Sequence, residues 1–397
     1  MKWPLCNSPF TALDKLKIST FLFREPIWTA GEWVKRYERM WVRQFGVNHA
    51  VMVSSGSTAN ELIALRRKWE LQQAGEWPRR NKVVFAVNSW ISNCSVWINF
   101  GFDPVFVDVS PDNLNVTPET LNATLAANEG IGTVFYTALL GFHNEIETCK
   151  KVTEHYGARF LMDNCEASFS GYHSVQDEEC AGPRSLLSLT TCSTSIYFSH
   201  FSSSGTEGGL IFTQNDEEAD WYRMMRNHGM TRGMPEHYKN PVVNPDFDFY
   251  LMGSNYRSSN LQAYMASLDF ERAYAFSEKR QDIMGAFYST IDPDKYAIFG
   301  AEMDARDHSA SIPLALPILC HTKEQRVKVE AYLRGRGIGT RPIIGGVLLA
   351  HSAFKGYGNP DDFPVAKWSH ECGLYCGIHK GVTPEMAEEL AEALNEV

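Results

Sequence analysis

Short apolar runs alternate with helix-like segments from about residue 82 onward. The apolar runs are KVVFAV, PVFVDV, TVFYTALL and ARFLMDN, and the segments between them include WISNCSVWINFG and HNEIETCKKVTEHYG. This alternation predicts crossover units and a largely parallel sheet covered by helices on both faces. SLTTCST and GGLIFTQN add two more predicted strands. We therefore predict a large α/β domain.

The pattern becomes helical between about residues 216 and 280. DEEADWYRMMRNHG predicts one helix, and NLQAYMASLDFERAYAFSEKRQDIM predicts another that is long enough to bridge two lobes. Beyond it, SIPLALPILC predicts a strand, HTKEQRVKVEAYLRGRG a helix closed by Gly337, and TPEMAEELAEALNEV a terminal helix. We predict a large domain over residues 1–265 and a small α+β domain over residues 266–397.

The chain length agrees with two domains, since single cores stop growing at roughly 250 to 300 residues and this chain has 397. The net charge of −10 argues against nucleic acid or an anionic membrane surface as a partner, because both attract basic patches. The first residues lack the apolar core of a signal peptide, and no run of about 18 apolar residues occurs. We expect a cytoplasmic protein.

The nine cysteines are odd in number and scattered, which favours reduced, buried thiols over a disulfide framework. The glycosylation sequons at Asn93, Asn115 and Asn122 are then chance matches, because glycosylation requires secretion.

A zinc site is conceivable near the C-terminus, with four candidate ligands: His370, Cys372, Cys376 and His379. The segment ECGLYCG is apolar and alternating, however, which favours buried strand thiols. We predict no metal.

The segment SSGSTAN opens a predicted helix. Small residues with unpaired amides at a helix N-terminus form an anion site, because the N–H groups and the helix dipole both point at the ligand. The alternative is that Ser and Thr simply cap the helix.

Asp163 follows the apolar strand ARFL and should emerge at its carboxyl end, where open α/β folds bind ligands. A carboxylate there can pair with a protonated heteroaromatic nitrogen. The alternative is a strand-end Asp that caps the next turn.

His200 lies at the centre of SIYFSHFSSSGTEGG, with apolar or small neighbours. A lone histidine is more often a structural hydrogen-bonding residue than a catalyst. Taken alone, GSNYRSSNLQA indicates only a loop before a helix, and Trp90 indicates only a core aromatic.

Taken together and in order, these segments resemble the sugar aminotransferase family of fold type I pyridoxal phosphate (PLP) enzymes, the DegT-like group. The resemblance covers nearly the whole chain and includes SSGSTANELIAL, NSWISNCSVWINFGFDPVFVDV, FLMDNCEASFSGY, SIYFSHFSSSGTEGG, GSNYRSSNLQA and RGIGTRPIIGG. It implies an aspartate aminotransferase-like fold, with a mixed, mostly parallel sheet in the large domain and a small α+β domain. It also implies a homodimer with shared active sites.

The resemblance assigns roles to individual positions. Gly56, Ser57 and Ser195 match positions that hold the cofactor phosphate, Asp163 matches the carboxylate that faces the pyridine nitrogen, and Trp90 lies where an aromatic ring stacks on the cofactor. Asn255 matches a residue that reaches the phosphate from the neighbouring subunit, and Arg257 could act similarly. Arg341 is a candidate for an anionic substrate group or the carboxylate of an amino acid.

The sequence departs from the aminotransferases at His200. Ungapped alignment on Tyr197 and Glu207-Gly208-Gly209 puts this residue where they carry the Schiff-base lysine, and no lysine lies between Lys151 and Lys239. With histidine in place of this lysine, the sequence resembles the branch of nucleotide-sugar 3-dehydratases. In that branch the position of Glu166 is also often acidic. Phe201 departs from that branch, many members of which have a second histidine there.

The resemblance implies a 3-dehydratase that uses PLP and pyridoxamine phosphate (PMP) on a nucleotide-linked 4-keto-6-deoxy sugar, with glutamate as the expected amino donor. Histidine suits acid–base work because its ordinary pKa, about 6.5, lies near neutral pH. Iron–sulfur chemistry is not expected, since no tight Cys-x-Cys pair occurs. The alternatives are an aminotransferase that works without the lysine and a catalytically silent PLP-fold binding protein.

Overall fold

The computed structural model describes residues 3–174 and 182–397. Its α-helices are α1 Ala12–Arg24, α2 Glu32–Phe45, α3 Gly56–Gln73, α4 Ile91–Asn99, α5 Pro118–Ala127, α6 Ile146–His155, α7 Asp216–Met225, α8 Asn260–Ala275, α9 Ser277–Thr290, α10 Ala305–Ala310, α11 Lys323–Gly335, α12 Pro364–Cys372 and α13 Pro384–Asn395. Its strands are β1 His49–Val53, β2 Lys82–Ala86, β3 Asp103–Val107, β4 Ile131–Thr137, β5 Arg159–Asp163, β6 Gly171–Tyr172, β7 Arg184–Ser185, β8 Cys192–Ser195, β9 Gly209–Thr213, β10 Tyr296–Ala297, β11 Ala315–Cys320, β12 Thr340–Pro342 and β13 Gly373–Gly377.

The chain divides into two compact units. Unit one comprises Met1–Asn7, Arg80–Leu186 and Arg272–Val397, and unit two comprises Ser8–Arg79 and Leu187–Glu271. The division into a large domain over residues 1–265 and a small domain over residues 266–397 stays a prediction.

Unit one carries the parallel strands that the alternating pattern predicts. Strand β2 pairs in parallel with β3 and β4, and β4 pairs in parallel with β5. Helices α4, α5 and α6 follow β2, β3 and β4 along the chain, as expected for crossover connections. Because parallel strands end at one edge, Thr137 of β4 lies beside Asp163 of β5.

A second sheet in unit one has the order β10-β11-β13-β12 and is antiparallel throughout. Strand β11 is fully buried, and helices α9 and α13 pack against each other. Together with α11 these elements form the α+β arrangement expected of the C-terminal region.

Unit two carries three strands in the order β1-β9-β8. Strand β9 is antiparallel to both neighbours, so β1 and β8 run in the same direction. The register pairs Gly209, the first residue of β9, with Val53 on one side and Ser195 on the other. The ends of β1 and β8 therefore lie at the same edge.

The predicted bridging helix is in fact two helices, α8 and α9, separated at Phe276. Beyond the break, Arg280 is buried, and its Nη1 donates to the carbonyl oxygens of Pro313 and Leu314 at 3.1 and 2.9 Å. The helical pattern of the sequence alone could not predict this long-range contact. Among the described residues, no helix combines the length and the apolarity needed to cross a bilayer.

A buried ion pair holds α2 to β1 in unit two, which yields a stability prediction. Glu38 Oε1 accepts from Arg226 Nη1 at 2.6 Å and from the Met52 amide at 2.8 Å. Removing one partner of a buried ion pair leaves the other charge buried without a counter-charge. Glu38→Ala should therefore lower the free energy of unfolding by about 3 kcal/mol. Equilibrium unfolding in urea measures this change in the free energy of unfolding.

Glu32→Ala is the matched control, since Glu32 lies on the same helix and pairs with Arg39 at 2.7 Å on the exposed surface. Exposed pairs contribute little. Equal loss of stability in the two variants would contradict the assignment.

Candidate active site

The turn before α3 is built as the sequence suggests. Ser55 Oγ accepts from the Thr58 amide at 3.1 Å, while Thr58 Oγ1 accepts from the Ser55 amide at 2.9 Å, which completes a capping box. The capping interpretation is thus confirmed. Because Ser55 is the cap, Gly56 and Ser57 occupy the first turn, where the helix dipole favours an anion.

The end of β8 lies next to this turn through Gly209. A Cβ built on Gly209 would come within 2.4 Å of the Ser55 carbonyl oxygen, so glycine is required for the close approach. Ser195 is buried, pairs with Gly209 in the register, and its Oγ accepts from the Tyr197 amide at 3.1 Å. Unit two therefore brings Gly56, Ser57 and Ser195 to one edge of its sheet.

His200 lies in the loop between β8 and β9. Its amide donates to the Tyr197 carbonyl at 3.0 Å, and the two rings are 6.1 Å apart in an edge-to-face arrangement. His200 is half-buried, whereas Phe201 is buried. The phenyl ring at position 201 thus belongs to the packing of the loop.

Buried serines anchor the rest of this loop. Ser202 Oγ hydrogen bonds with Tyr37 OH at 3.2 Å, and the Ser203 amide donates to Asp269 Oδ2 at 3.2 Å. The loop closes where the Ile196 amide donates to the Gly208 carbonyl at 3.0 Å. The serine run is therefore a structural anchor for the segment that carries His200.

Asn255 and Arg257 approach the same turn within the chain. The Ser54 amide donates to the Tyr256 carbonyl at 3.0 Å, and Arg257 forms an isolated antiparallel bridge with Val53. Arg257 Nη1 also donates to Asn227 Oδ1, and Asn227 forms a bridge with Asn255. The two residues thus lie beside the end of β1, while their assignment to a partner's phosphate stays a prediction.

In unit one, Asp163 and Glu166 lie together after β5. Asp163 is buried at the carboxyl end of the strand, and its Oδ1 accepts from the Cys165 amide at 2.8 Å. Glu166 Oε2 accepts from the Leu140 amide at 2.9 Å. Burial raises the pKa of Glu166 from 4.5 to about 8, against the lowering effect of the Leu140 hydrogen bond, and the charge of Asp163 raises it further.

Trp90 is not a core aromatic, because its side chain is 55% exposed. It is the N-cap residue of α4, in the short connection that follows β2, and β2 ends at the same edge of the parallel sheet as β5. An exposed indole at this edge is compatible with stacking on a ring.

Arg341 of β12 is exposed and lies opposite Tyr375 of β13. Burial raises the pKa of Tyr375 to about 12, the charge of Glu166 raises it further, and Arg341 lowers it. Arg341 is thus engaged with a neutral phenol, and its role toward an anion stays a prediction.

Sequence reasoning missed Asn115 and the turn that it supports. Asn115 is 1% exposed and its Oδ1 accepts from the Leu139 amide at 2.7 Å, next to the Leu140 amide that binds Glu166. Its only sequence signal was the sequon. Asn93 and Asn115 are both buried, so neither is accessible for glycosylation in this fold.

The suggested zinc ligands do not converge. Cys372 ends α12 rather than lying in the strand, Cys376 is buried in β13, and burial raises the pKa of both thiols. His379 binds the Pro4 carbonyl at 3.0 Å. Among the described residues, no group of three or more His, Cys, Asp or Glu side chains could hold a metal.

The fold is that of fold type I PLP-dependent enzymes. A structure of the E. coli GDP-4-keto-6-deoxy-D-mannose-3-dehydratase with bound hydrated PLP superposes with a TM-score of 0.81 at 24% identity, covering 100% of this chain and 99% of that chain. An aminotransferase from Psychrobacter cryohalolentis superposes with a TM-score of 0.83 at 18% identity, covering 100% and 98%. The fold alone therefore does not separate dehydration from amino transfer.

The chain belongs to the DegT/DnrJ/EryC1/StrS aminotransferase family, whose model matches residues 15–395. It is 26% identical over 362 residues to a GDP-4-keto-6-deoxy-D-mannose 3-dehydratase from Escherichia coli O55:H7 (strain CB9615 / EPEC). That alignment covers 89% of this chain and 88% of the relative.

Gly209→Ala should push the Ser55 carbonyl away and distort the turn that holds Gly56 and Ser57, because the new Cβ would lie 2.4 Å from the Ser55 carbonyl oxygen and backbone atoms cannot shift cheaply. We expect at least about a tenfold loss of affinity for PMP, which corresponds to about 1.4 kcal/mol. Tryptophan fluorescence during titration with PMP measures this affinity.

Gly285→Ala is the control, since a Cβ at Gly285 in α9 meets nothing within 4 Å. It should leave PMP affinity unchanged and slightly stabilise the helix. Unchanged PMP affinity in Gly209→Ala would contradict a phosphate site at this edge.

Proposed function

We propose that this chain is a PMP/PLP-dependent 3-dehydratase that removes the C3 hydroxyl group of a nucleotide-linked 4-keto-6-deoxy sugar. One observation supports the proposal: in the ungapped alignment His200 matches the position where the family's aminotransferases have a lysine, and residues 152–238 contain no lysine at all. The relative named above is a dehydratase, which supports this choice between two reactions of one fold.

The residues present suit the cofactor. The first turn of α3 and Ser195 offer N–H and O–H donors beside a helix N-terminus, which suits a phosphate. Asp163 offers a buried carboxylate for a protonated ring nitrogen, and Trp90 offers an exposed ring for stacking. We infer that these residues, with Glu166, serve PLP or PMP without an iron–sulfur cluster, and that Asn255 and Arg257 serve the cofactor of a partner subunit.

When bound as PMP, the cofactor supplies an amine that condenses with the 4-keto group and a ring that accepts an electron pair. His200, as the imidazole, removes a proton from the carbon that bears this amine. As the imidazolium, it then gives the proton to the departing C3 oxygen. Asp163 holds the ring nitrogen protonated, which keeps the ring electron-poor.

The overall reaction balances. The sugar would exchange a hydroxyl for a hydrogen at C3, a two-electron reduction for which bound PMP would supply the two electrons, with its nitrogen leaving as ammonia. An amino acid, which we infer to be glutamate, would supply the replacement amino group and would leave as its 2-oxo acid. A lysine could also return the proton to sugar carbon 4 and give an amino sugar, so a histidine favours elimination.

We further propose a homodimer with shared active sites, in the cytoplasm. The segment that leads to Asn255 exposes apolar side chains, including Val242, Phe247 and a Met252 that is 100% exposed. A second copy would cover such a patch and would place Asn255 and Arg257 near a partner's phosphate. Arg341 is the candidate for an anionic group of the sugar nucleotide or of the amino acid.

The alternative functions are transfer of an amino group without the lysine and a silent binding protein of this fold. Incubation of the PMP-loaded protein with GDP-, CDP-, UDP- and TDP-linked 4-keto-6-deoxy sugars and glutamate separates them by mass. Loss of the C3 oxygen supports the dehydratase, and nitrogen retained on the sugar supports the aminotransferase. No change with any sugar supports the silent protein.

His200→Asn should abolish turnover and leave PMP affinity nearly unchanged, because the amide fills similar space but cannot exchange protons. Mass analysis of the sugar and fluorescence titration with PMP test the two parts separately. Phe201→Leu, which changes a buried neighbour in the same loop, controls for general loop damage. Full activity in His200→Asn would rule out the assigned role.

A further inference from the structure

A cavity of about 590 Å³ lies within unit one. It is lined by the first turns of α5 and α6, by His173 and by residues between Glu302 and Asp307. Neither Asp163 nor Glu166 lines it. Its volume falls in the range of small-molecule sites, roughly 300 to 1,000 Å³.

The lining of the cavity is strongly acidic. Of the described residues around it, six carry a carboxylate and one, Arg306, carries a guanidinium. The N-termini of α5 and α6 also border the cavity, but each helix end amounts to only about half a positive charge. The lining therefore favours a cationic ligand. The six carboxylates are those of Glu119, Glu145, Glu147, Glu302, Asp304 and Asp307.

His143 lines the cavity with a side chain that is 0% exposed. Its Nε2 lies 2.9 Å from the Gly171 carbonyl oxygen, and a carbonyl can only accept, so Nε2 carries the proton. Burial lowers the pKa of His143, against the raising effect of the charge on Asp307. In the neutral ring Nδ1 is then a hydrogen-bond acceptor.

Nδ1 of His143 lies opposite a second acceptor. Asp307 Oδ2 is 3.9 Å away, which is beyond hydrogen-bond reach. Within the part of the chain that the structure describes, Nδ1 has no hydrogen-bond partner. A single ammonium group can donate to both atoms, because two acceptors that share one such donor lie roughly 4 to 5 Å apart. The pair thus suits a ligand with several N–H donors on one charged nitrogen.

We propose that this cavity is a second ligand site and that it binds an aliphatic diamine. One ammonium group bridges His143 Nδ1 and the Asp307 carboxylate. Ile146 and Met303 line the same cavity and offer apolar surface to the methylene groups. The second ammonium group lies among the exposed carboxylates, such as that of Glu119. The inference does not depend on the sugar reaction.

Calorimetric titration of the full chain with 1,4-diaminobutane, at constant ionic strength, tests the site. We expect one site per chain with a Kd below about 1 mM. Butylammonium lacks the second charge, and Mg²⁺ has the same charge as the diamine but no N–H donor. Each should bind at least about tenfold more weakly than the diamine. Absence of binding, or equal binding of Mg²⁺, would overturn the proposal.

Asp307→Asn should weaken binding of 1,4-diaminobutane about tenfold, because one of the two bridged acceptors loses its charge. Asp282→Asn is the matched control, since it makes the same chemical change at an exposed residue of α9 that does not line the cavity. It should leave the affinity unchanged. Equal affinities in the two variants would show attraction by net charge alone and would overturn the site.

His143→Phe keeps a ring but removes the Nδ1 acceptor, so it should also weaken binding about tenfold. Should this buried variant fail to fold, 15N-histidine labelling of the unaltered chain answers the same question. Saturating 1,4-diaminobutane should shift the Nδ1 signal of His143, which its change in Asp307→Asn identifies. An unmoved Nδ1 signal, or full affinity in a folded His143→Phe, would overturn the bridging contact.

Discussion

The close approach of Gly209 to the Ser55 carbonyl is the constraint on which the site in unit two depends. With no Cβ at this position, the first residue of β9 fits against the turn before α3. The register then sets Val53 and Ser195 on either side of it. The N-terminus of α3 and the Ser195 hydroxyl thus lie at one edge of the sheet because Gly209 has no side chain.

In unit one, side chains of the candidate site are positioned by a strained turn and not by a close approach of backbone atoms. Its parallel strands bring Asp163 to an edge, and the turn at Leu140, whose φ is 55°, places one amide against Glu166. Segments around Asn115 and Leu314 hold this turn. The Leu140 amide therefore fixes the position of Glu166 Oε2.

Much of this could be predicted from the sequence, because local patterns carry it. The alternating runs gave the parallel strands, SSGSTAN gave a capped helix start, and the strand ARFL placed Asp163 at a carboxyl end. Contacts between distant segments could not be predicted, since no local pattern encodes them. The turn held by Asn115, the pairing of Arg341 with Tyr375, and the break at Phe276 are of this kind. Trp90 looked like a core aromatic because hydrophobicity cannot distinguish a buried indole from one exposed at a strand end.

The loop that carries His200 is anchored on both sides of that residue. Phe201 is buried, and Ser202 and Ser203 are bonded to Tyr37 and Asp269, so the backbone on the far side of His200 is fixed whatever side chain stands at position 200. On the near side, the Ser195 hydroxyl holds the Tyr197 amide. A side chain mounted between two such anchors can be exchanged without rebuilding the loop. An amine or an imidazole at position 200 would therefore differ in chemistry and not in the backbone that presents it.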